Sequence, residues 1–310
     1  MIYDIRHVTT YTYEASVASS RCAIRLTPRD GRGQRLLAHD LKSSPSLHAA
    51  AERLDFFGNR VVEASIREAH ARLRISMTAR VEISREEPPA EGLTPSWENV
   101  RRSAADIRSL AADSPAHGLF PSRLAPIETP VTDYARQSFA PGRPVLEGAA
   151  ELMRRIKSDF AYDPEATDVA TPLAQAFARK GGVCQDFAHI MIAGLRGLGL
   201  PAAYVSGYIR TIPAPGATRL EGADASHAWV AVWCGDPFGW IQMDPTNAMY
   251  SDDNHIVVAI GRDYADVSPI DGVIVGAGRQ TLGVAVDIVA VGAPHQTNER
   301  LPNERSVCSS

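Results

Sequence analysis

The sequence predicts an α+β protein, with an N-terminal antiparallel β-sandwich-like domain followed by a core of helices packed on an antiparallel sheet. Two patterns along the chain predict this class. In residues 1–90, apolar and polar side chains alternate in short runs between turn signals, which is typical of antiparallel strands. From residue 146 onward the apolar spacing changes to three and four, which indicates helices, and strand patterns follow these helices.

The composition indicates an ordinary globular protein. The chain has 310 residues, of which 45% are hydrophobic and 22% are charged. Its net charge of -4 argues against nucleic-acid binding, which needs a basic face. No apolar run approaches the roughly 18 residues of a membrane helix, and the N-terminal stretch MIYDIRHVTTYTYE lacks the pattern of a signal peptide. We therefore expect no nucleic acid and no membrane as partners, and the oligomeric state stays open.

The cysteines bear on the cellular compartment. They are scattered without CxxC spacing, which argues against a zinc cluster and against a disulfide framework. The four are Cys22, Cys184, Cys234 and Cys308. Free thiols suit a reducing compartment, so we expect a cytoplasmic protein. We expect no cofactor and no bound metal.

Changes of composition divide the chain into four segments. Residues 1–90 are predicted to form the N-terminal β domain, with a hairpin turn at Gly58. Residues 91–145 are a Pro-rich connector with a short helix. Residues 146–292 are predicted to form the core together with the C-terminal strands, and residues 293–310 a polar, disordered tail.

The core pattern predicts three helices followed by strands. The first helix covers LEGAAELMRRIKSDFAY, and the second, TPLAQAFAR, has Thr171 as N-cap and Pro172 at its first position. The third, CQDFAHIMIAGLRGLG, starts at Cys184 and is stopped by Gly199. Strands are predicted at AAYVSGYIRT, HAWVAVW, GWIQMD, HIVVAIG and GVAVDIVAV.

Cys184 is the first candidate for chemistry because it follows two glycines at the start of a helix. Only a thiolate attacks, and a helix N-terminus favours the thiolate through its unpaired N–H groups. The same N–H groups suit a developing oxyanion. Asp186, two residues further on, is placed to cap the helix. Taken alone, a cysteine in an apolar helix is more often a small core residue.

His227 and Asp244 are predicted to meet across a hairpin. His227 begins one strand, Asp244 ends the next, and CGDPFG between them is a strong turn signal. In an antiparallel hairpin, the residue numbers of any two partners add up to the same value. If His227 and Asp244 are partners, this value is 471, which would centre the turn between Gly235 and Asp236. A carboxylate that holds an imidazole in this way prepares it to act as a base for a thiol.

Three blocks then carry a family resemblance. GGVCQDFAHIMIAGLRGLGLPAAYVSGY, DASHAWVAVW and GWIQMDPTN resemble the signature blocks of the transglutaminase-like superfamily, in the order Cys, His, Asp. The N-terminal strands, including LDFFGNRV, resemble the β domain of bacterial transglutaminase-like proteins that are often labelled cysteine proteases. The resemblance implies a transglutaminase/papain-like core. It also implies that Cys184 is the nucleophile, His227 the base and Asp244 the orienting acid.

Neighbouring residues are candidates for supporting the site. Gly182 and Gln185 flank Cys184, and Gln185 is a candidate oxyanion donor that equally suits a solvent-facing position. Tyr162 lies where the superfamily has an aromatic-bearing segment beside the site. Trp229 shares a strand face with His227 and is a candidate shield for the imidazole. Core packing is the competing interpretation for both aromatic residues.

The rim of the substrate site is predicted around the loop that precedes His227. The candidate rim residues are Gly207, Tyr208 and Asp224.

Two further residues are interpreted as structural: His189 is about 140° round the helix from Cys184 and is predicted to be a packed or capping histidine. Asn247, after Asp244-Pro245, is predicted to be a turn residue.

The leading functional hypothesis is cysteine-dependent acyl transfer on an amide, peptide or isopeptide bond through a thioester. Hydrolysis, as in a protease or amidase, is favoured over a protein-glutamine amine transglutaminase because water competes unless a site excludes it. The partner is then a peptide or protein amide substrate. Two other classes stay open: a non-catalytic transglutaminase-fold binding module, and zinc binding by Cys184, His227 and Asp244.

Overall fold

A computed structural model describes residues 1–211, 224–276 and 278–291, and its architecture is α+β, as the sequence predicts. The strands, in chain order, are β1 (Ile2–Val17), β2 (Ser19–Ile24), β3 (Gln34–Ser44), β4 (His48–Leu54), β5 (Arg60–Ile66), β6 (His70–Ile83), β7 (Ala161–Tyr162), β8 (Gly181–Gly182), β9 (Ala202–Ile209), β10 (Ala225–Trp233), β11 (Trp240–Asp244), β12 (Met249–Tyr250), β13 (His255–Gly261), β14 (Ile270–Val275) and β15 (Gln280–Ala290). The α-helices are α1 (Trp97–Asp106), α2 (Thr129–Arg136), α3 (Val145–Asp159), α4 (Leu173–Arg179), α5 (Cys184–Gly197) and α6 (Tyr264–Val267). Within these residues, no helix is long and apolar enough to cross a membrane.

The N-terminal half is built from two four-stranded antiparallel sheets. One has the strand order β15-β1-β6-β3 and the other β14-β2-β5-β4. In β1, Tyr3, Ile5 and His7 are buried while the residues between them are exposed, because successive side chains of a strand point to opposite faces. The hairpin at Gly58 is confirmed: β4 pairs with β5 up to Leu54 opposite Arg60.

The two C-terminal strands complete these N-terminal sheets. The sequence grouped them with the core, whereas β14 pairs with β2 and β15 pairs with β1 from Tyr3 opposite Ala290 to Tyr13 opposite Gln280. An alternating pattern identifies a strand but says nothing about its partner, so the pattern gave no indication of this long-range pairing. The segment bounds stay a prediction, and the tail 293–310 lies outside the described residues.

The core is a five-stranded antiparallel sheet covered by helices. Its strand order is β12-β11-β10-β9-β13, and α5 packs against β9 and β10. From Asp186 to Arg196 every residue of α5 is buried. A helix that is buried on all sides belongs to the core, so the sheet and the other helices fix α5 and the cysteine at its first position.

The sequence missed α2, α6, β3, β7, β8, β12 and β14, and it misplaced helix boundaries. The predicted first core helix runs to Tyr162, whereas α3 ends at Asp159 and Ala161–Tyr162 form β7. Thr129-Pro130 opens α2, but the prolines of this region indicated a loop, although proline is favoured in a first helical turn. In α4, Pro172 is the N-cap and the helix starts at Leu173. Thr171, the predicted cap, instead donates its hydroxyl to Asp168.

Two amide side chains of the N-terminal half join it to the core sheet. Strand β13 is an edge of that sheet, and Gln34 pairs with Val257 there: its Nε2 donates to Val257 O at 2.7 Å and its Oε1 accepts from Val257 N at 2.8 Å. Asn59 makes the same two bonds to Ile260, both at 2.8 Å. An open sheet edge needs partners for its backbone groups, and these amides supply them.

We expect Gln34→Met to lower the free energy of unfolding by about 2 kcal/mol, because the buried N–H of Val257 loses its partner while Val257 O keeps the bond from Arg29 N. Urea denaturation measures the change. Gln137→Met replaces an exposed amide and is the matched control, expected to change stability by less than about 0.5 kcal/mol. Equal stability of the two variants would contradict a structural role for this junction.

Candidate active site

Cys184 is the first residue of α5, as the sequence predicts. Its side chain is half-buried, whereas the next turn of the helix is fully covered. Asp186 caps the helix start, since its Oδ2 accepts from Val183 N at 2.8 Å and from Thr167 Oγ1 at 2.6 Å. Gly182 is required here because a Cβ would lie 2.4 Å from Asp186 Oδ2. The cap therefore depends on glycine immediately before the N-cap.

His227 and Asp244 are in direct contact. The Nε2 of His227 lies 2.8 Å from Asp244 Oδ2, and the two side chains are 7% and 0% exposed. Because an ionised carboxylate only accepts, His227 Nε2–H is the donor. Cys184 lies close enough to His227 to contribute to the raised pKa of the imidazole, and both side chains line one cleft.

The hairpin register differs from the predicted one by two residues. Val230 pairs with Met243 and Trp233 with Trp240, which gives an index sum of 473 rather than 471. A shift of two keeps each side chain on the same face of the sheet. His227 and Asp244 are consequently diagonal neighbours, and they still meet because diagonal side chains on one face are within reach.

Electrostatics favour a charged pair at this position. Burial alone disfavours an imidazolium, yet hydrogen bonds with Asp244 and Cys184 outweigh burial and raise the pKa of His227 to about 10. Burial alone would raise the pKa of the Asp244 carboxyl, but hydrogen bonds with His227 and His255 hold that pKa well below its usual range. The imidazolium and the carboxylate therefore stabilise each other in a desolvated setting.

Sequence reasoning missed His255, whereas Asn247 lies in a turn, as predicted, and also binds Asp244. The Nε2 of His255 lies 3.3 Å from Asp244 Oδ2, and Asn247 Nδ2 donates to the same oxygen at 2.7 Å. Asp244 Oδ1 accepts from the backbone N–H groups of Thr246 and Asn247. One signal for His255 was available: it begins the apolar strand HIVVAIG, just as His227 begins HAWVAVW.

His255 links the buried carboxylate to the surface. Its ring is fully buried, and its Nδ1 lies 2.8 Å from Oδ1 of Asp252, whose side chain is 41% exposed. The hydrogen bond with His255 is the largest cause that lowers the pKa of Asp252 to about 2. His227, Asp244, His255 and Asp252 thus form one chain of hydrogen-bonding side chains, and Cys184 lines the same cleft as His227.

Aromatic packing surrounds the histidines. Trp229 is fully buried, with its ring centroid 6.0 Å from that of His227 and 5.2 Å from that of His255. Its Nε1 donates to Gln242 Oε1 at 2.9 Å. His189 packs against Tyr204 at 5.0 Å between ring centroids and accepts from the backbone of Tyr264. His189 is therefore a packed histidine in the structure.

Cys184 and His227 open onto a cleft of about 440 Å³. Gln185 lies in its wall. The cleft is formed jointly by the core and by the N-terminal sheet that contains β1 and β15. The residues contributed by these two strands are His7, Thr9, Tyr11, Leu282, Val284 and Val286.

The three predicted rim residues occupy different places. Asp224 lines the cleft but is buried, and its carboxylate accepts from Thr211 N and Ile288 N. Gly207 and Tyr208 lie outside the cleft lining. A Cβ on Gly207 would approach Ile256 O to 2.1 Å, so its glycine serves close strand packing. Tyr208 is buried and donates its hydroxyl to Leu26 O.

Tyr162 lies next to the cysteine segment without lining the cleft. It pairs with Gly182 in the two-stranded sheet of β7 and β8, and its side chain is 55% exposed. Burial of part of the ring is the largest cause that raises the pKa of its phenol, and the nearby Cys184 adds to the shift. Core packing is therefore not its role.

One group in the described part of the chain has metal-ligand geometry. The ligand atoms of His227, Asp244 and His255 lie within 4.8 Å of one another, and Cys184 is not a member. Two ligands of one tetrahedral zinc ion, each about 2.0 to 2.1 Å from it, are about 3.3 Å apart. The 2.8 Å contact of His227 with Asp244 is shorter and fits a hydrogen bond.

Comparisons with known proteins agree on the family. The chain matches the family model "Transglutaminase-like superfamily" over residues 132–245 and "Bacterial transglutaminase-like N-terminal region" over residues 3–82. An uncharacterized protein of Mycobacterium tuberculosis (strain ATCC 25618 / H37Rv) is 39% identical over 299 residues, which is 93% of this chain and 92% of that protein. An uncharacterized protein of Mycobacterium leprae (strain TN) is 32% identical over 91% of this chain and 96% of its own.

A solved structure shows the same fold. The crystal structure of a "Putative Cysteine Protease from Cytophaga hutchinsonii" superposes with a TM-score of 0.72 at 21% identity, covering 95% of this chain and 92% of that one. The two family models lie in the order that the structure shows, with the N-terminal sheets before the helix-covered core. The chain belongs to the transglutaminase-like superfamily, among the bacterial proteins that carry this N-terminal region ahead of the core.

Proposed function

We propose that the protein is a cysteine-dependent hydrolase or acyltransferase with Cys184 as nucleophile, His227 as base and acid, and Asp244 as the residue that orients His227. One observation carries the proposal: His227 is hydrogen-bonded to Asp244, and Cys184 lies beside His227 in the wall of one cleft. This is the arrangement that an activated nucleophile requires.

The raised pKa of His227 sets the starting state of the reaction. An imidazolium at neutral pH is the proton donor that the leaving group needs. A positively charged neighbour also favours the attacking form of a cysteine. The thiolate attacks the carbonyl carbon of the amide. N–H groups at the start of α5 are the donors that we assign to the oxyanion, because Cys184 is the first residue of that helix. His227 then protonates the departing amine, and the thioester remains on Cys184.

The neutral His227 carries out the second half of the reaction. It removes a proton from water, the resulting hydroxide adds to the thioester carbonyl, and the collapse expels the Cys184 thiolate and releases a carboxylic acid. An amine in place of water would give a new amide by the same steps. Both outcomes therefore use the same three side chains, and the acceptor decides between a protease or amidase and a transglutaminase.

Hydrolysis is the outcome that we favour. The cleft opens to solvent at Cys184, so water has access to a thioester formed there. Transamidation is the alternative, and one relative supports it: a "Protein-glutamine gamma-glutamyltransferase" of Pseudomonas aeruginosa (strain ATCC 15692) is 33% identical over 158 residues. Those residues are 49% of this chain and 22% of that protein.

We expect iodoacetamide at pH 7 to alkylate Cys184 at least about tenfold faster than Cys22 or Cys234. Burial raises the pKa of the Cys22 thiol, and raises that of Cys234 to about 12, which keeps both protonated. Peptide mapping by mass spectrometry measures each rate, and His227→Ala is the variant that should slow Cys184. If all three thiols react at one rate, Cys184 is not an activated nucleophile.

Asp244→Asn should lower the pKa of His227 from about 10 to below neutrality, because burial then acts without the carboxylate. NMR of labelled histidine follows the titration. The raised pKa also sets how stability depends on pH. Protonated His227 stabilises the fold fully at a pH below its unfolded pKa of about 6.5, and this stabilisation is lost as the pH rises towards 10. In the Asn variant that loss between pH 6.5 and 10 should vanish. An unchanged His227 titration would contradict the assigned pairing.

We expect the parent protein, given peptide and glutamine-amide substrates together with excess primary amine, to release mainly hydrolysis products. Mass spectrometry distinguishes an acid product from an amine adduct, and Cys184→Ala is the inactive control. Predominant amine incorporation that depends on Cys184 would instead establish a transglutaminase. Product formation that survives in Cys184→Ala would remove the cysteine from the mechanism.

A further inference from the structure

Strand β15 is an exposed edge that runs into the cleft wall. It is the outermost strand of its sheet, paired on one side with β1. Residues 280–285 are all exposed, and Leu282 and Val284 are 58% and 50% exposed. Exposed apolar edges favour association with another strand, and proteins usually protect them with charges or proline. The stretch QTLGVAV has neither.

The hydrogen bonds at both ends of β15 show which of its backbone groups face outward. Glu14 N donates to Arg279 O, and Val291 N donates to Ile2 O. In an antiparallel ladder, residues that bond to one neighbour alternate with residues that face away from it. The odd-numbered residues from 279 to 291 therefore bond to β1, and the N–H and C=O groups of the even-numbered residues face the outer edge.

Asp224 shows that this outer edge accepts a partner. Its backbone N donates to Val286 O at 3.2 Å, and its Oδ2 accepts from Ile288 N at 2.6 Å. Both partners are even-numbered residues, as the alternation requires. This contact ends at Val286, after which the chain enters β10 and pairs with β9. Among the described residues, no strand covers the outer edge at Leu282 and Val284.

The same two residues face the catalytic cleft with their side chains. Leu282 and Val284 line it together with Cys184 and His227. A chain that paired with the outer edge of β15 would therefore run along the wall that faces the proposed nucleophile. Every second side chain of the added strand would lie on the same face of the sheet as Leu282 and Val284. An apolar side chain there would be removed from water by contact with these two residues.

We propose that the outer edge of β15 at Leu282 and Val284 binds the substrate as an added strand. The substrate is then an extended segment of unfolded polypeptide with apolar side chains at alternate positions. The proposal rests on the proposed function for the role of Cys184, but strand addition itself needs only the backbone of β15. Main-chain hydrogen bonds supply affinity in this mode, and side chains supply selectivity.

Val284→Pro tests the edge because proline removes the outward N–H of residue 284 while residues 283 and 285 keep their bonds to β1. Proline is tolerated on an edge strand when its nitrogen faces outward. Val284→Thr keeps the N–H and the branched shape, and is the matched control. Both changes are made in Cys184→Ala protein, so that bound peptide is not consumed. Thermal unfolding checks that each variant is folded.

Dodecapeptides selected from a random display library on Cys184→Ala protein are the probe. We expect Val284→Pro to weaken their binding by about tenfold and Val284→Thr by less than about twofold. Methylation of one backbone nitrogen at a time along a selected peptide should weaken binding only at every second residue. In a strand, only every second N–H group faces the neighbouring strand. Equal binding to all three proteins, failure to select any peptide, or N-methylation effects without a period of two would overturn the proposal.

Two further outcomes separate this proposal from others. If β15 pairs with a second copy of the chain, Val284→Pro will convert a dimer into a monomer and leave peptide binding unchanged, which overturns the proposal. Iodoacetamide reactivity is measured in protein with Cys184 intact and should be the same with Val284→Pro. Slow alkylation of Cys184 contradicts the proposed function, whereas peptide binding that depends on Val284 would still support the edge.

Discussion

The buried carboxylate of Asp244 is the constraint on which the rest of the site depends. An unpaired carboxylate in a protein interior costs more free energy than the few kcal/mol by which a domain is stable. Asp244 avoids this cost through hydrogen bonds from the side chains of His227, His255 and Asn247, and from two backbone N–H groups. Three elements must therefore meet at one point: the start of β10, the turn after β11 and the start of β13.

The N-terminal sheets take part in this constraint through β13. Gln34 and Asn59 bond the backbone of β13 along its outer edge, and His255 is the first residue of that strand. Strand β15 adds the cleft wall opposite Cys184. A core cut away from the N-terminal half would lose the partners of one sheet edge and one wall of its cleft, which gives a physical reason for the two regions to occur together.

The sequence predicts the local parts of the site better than the long-range ones. Cys184 at a helix start follows from two glycines and an apolar period, which are signals within a few residues of one another. The predicted register was wrong by two residues, yet His227 and Asp244 still meet. Side chains alternate between the two faces of a sheet, so a shift of two residues leaves each side chain on its predicted face. His255 was missed because β13 reaches Asp244 through the order of strands in the sheet, and the sequence pattern does not contain that order.

The predicted rim differs from the cleft for the same reason. Gly207 and Tyr208 precede the loop before His227, so they were assigned to the rim by proximity in sequence. In the structure they are buried near the C-terminal end of β9, and the exposed wall is formed by β15, more than fifty residues further along the chain than His227. β15 is the last described strand and pairs with β1, the first, so the two ends of the described chain lie side by side in one sheet. This pairing places the edge of β15, which no described strand covers at Leu282 and Val284, beside the proposed nucleophile. Under our proposal, both halves of the chain would therefore take part in selecting the substrate.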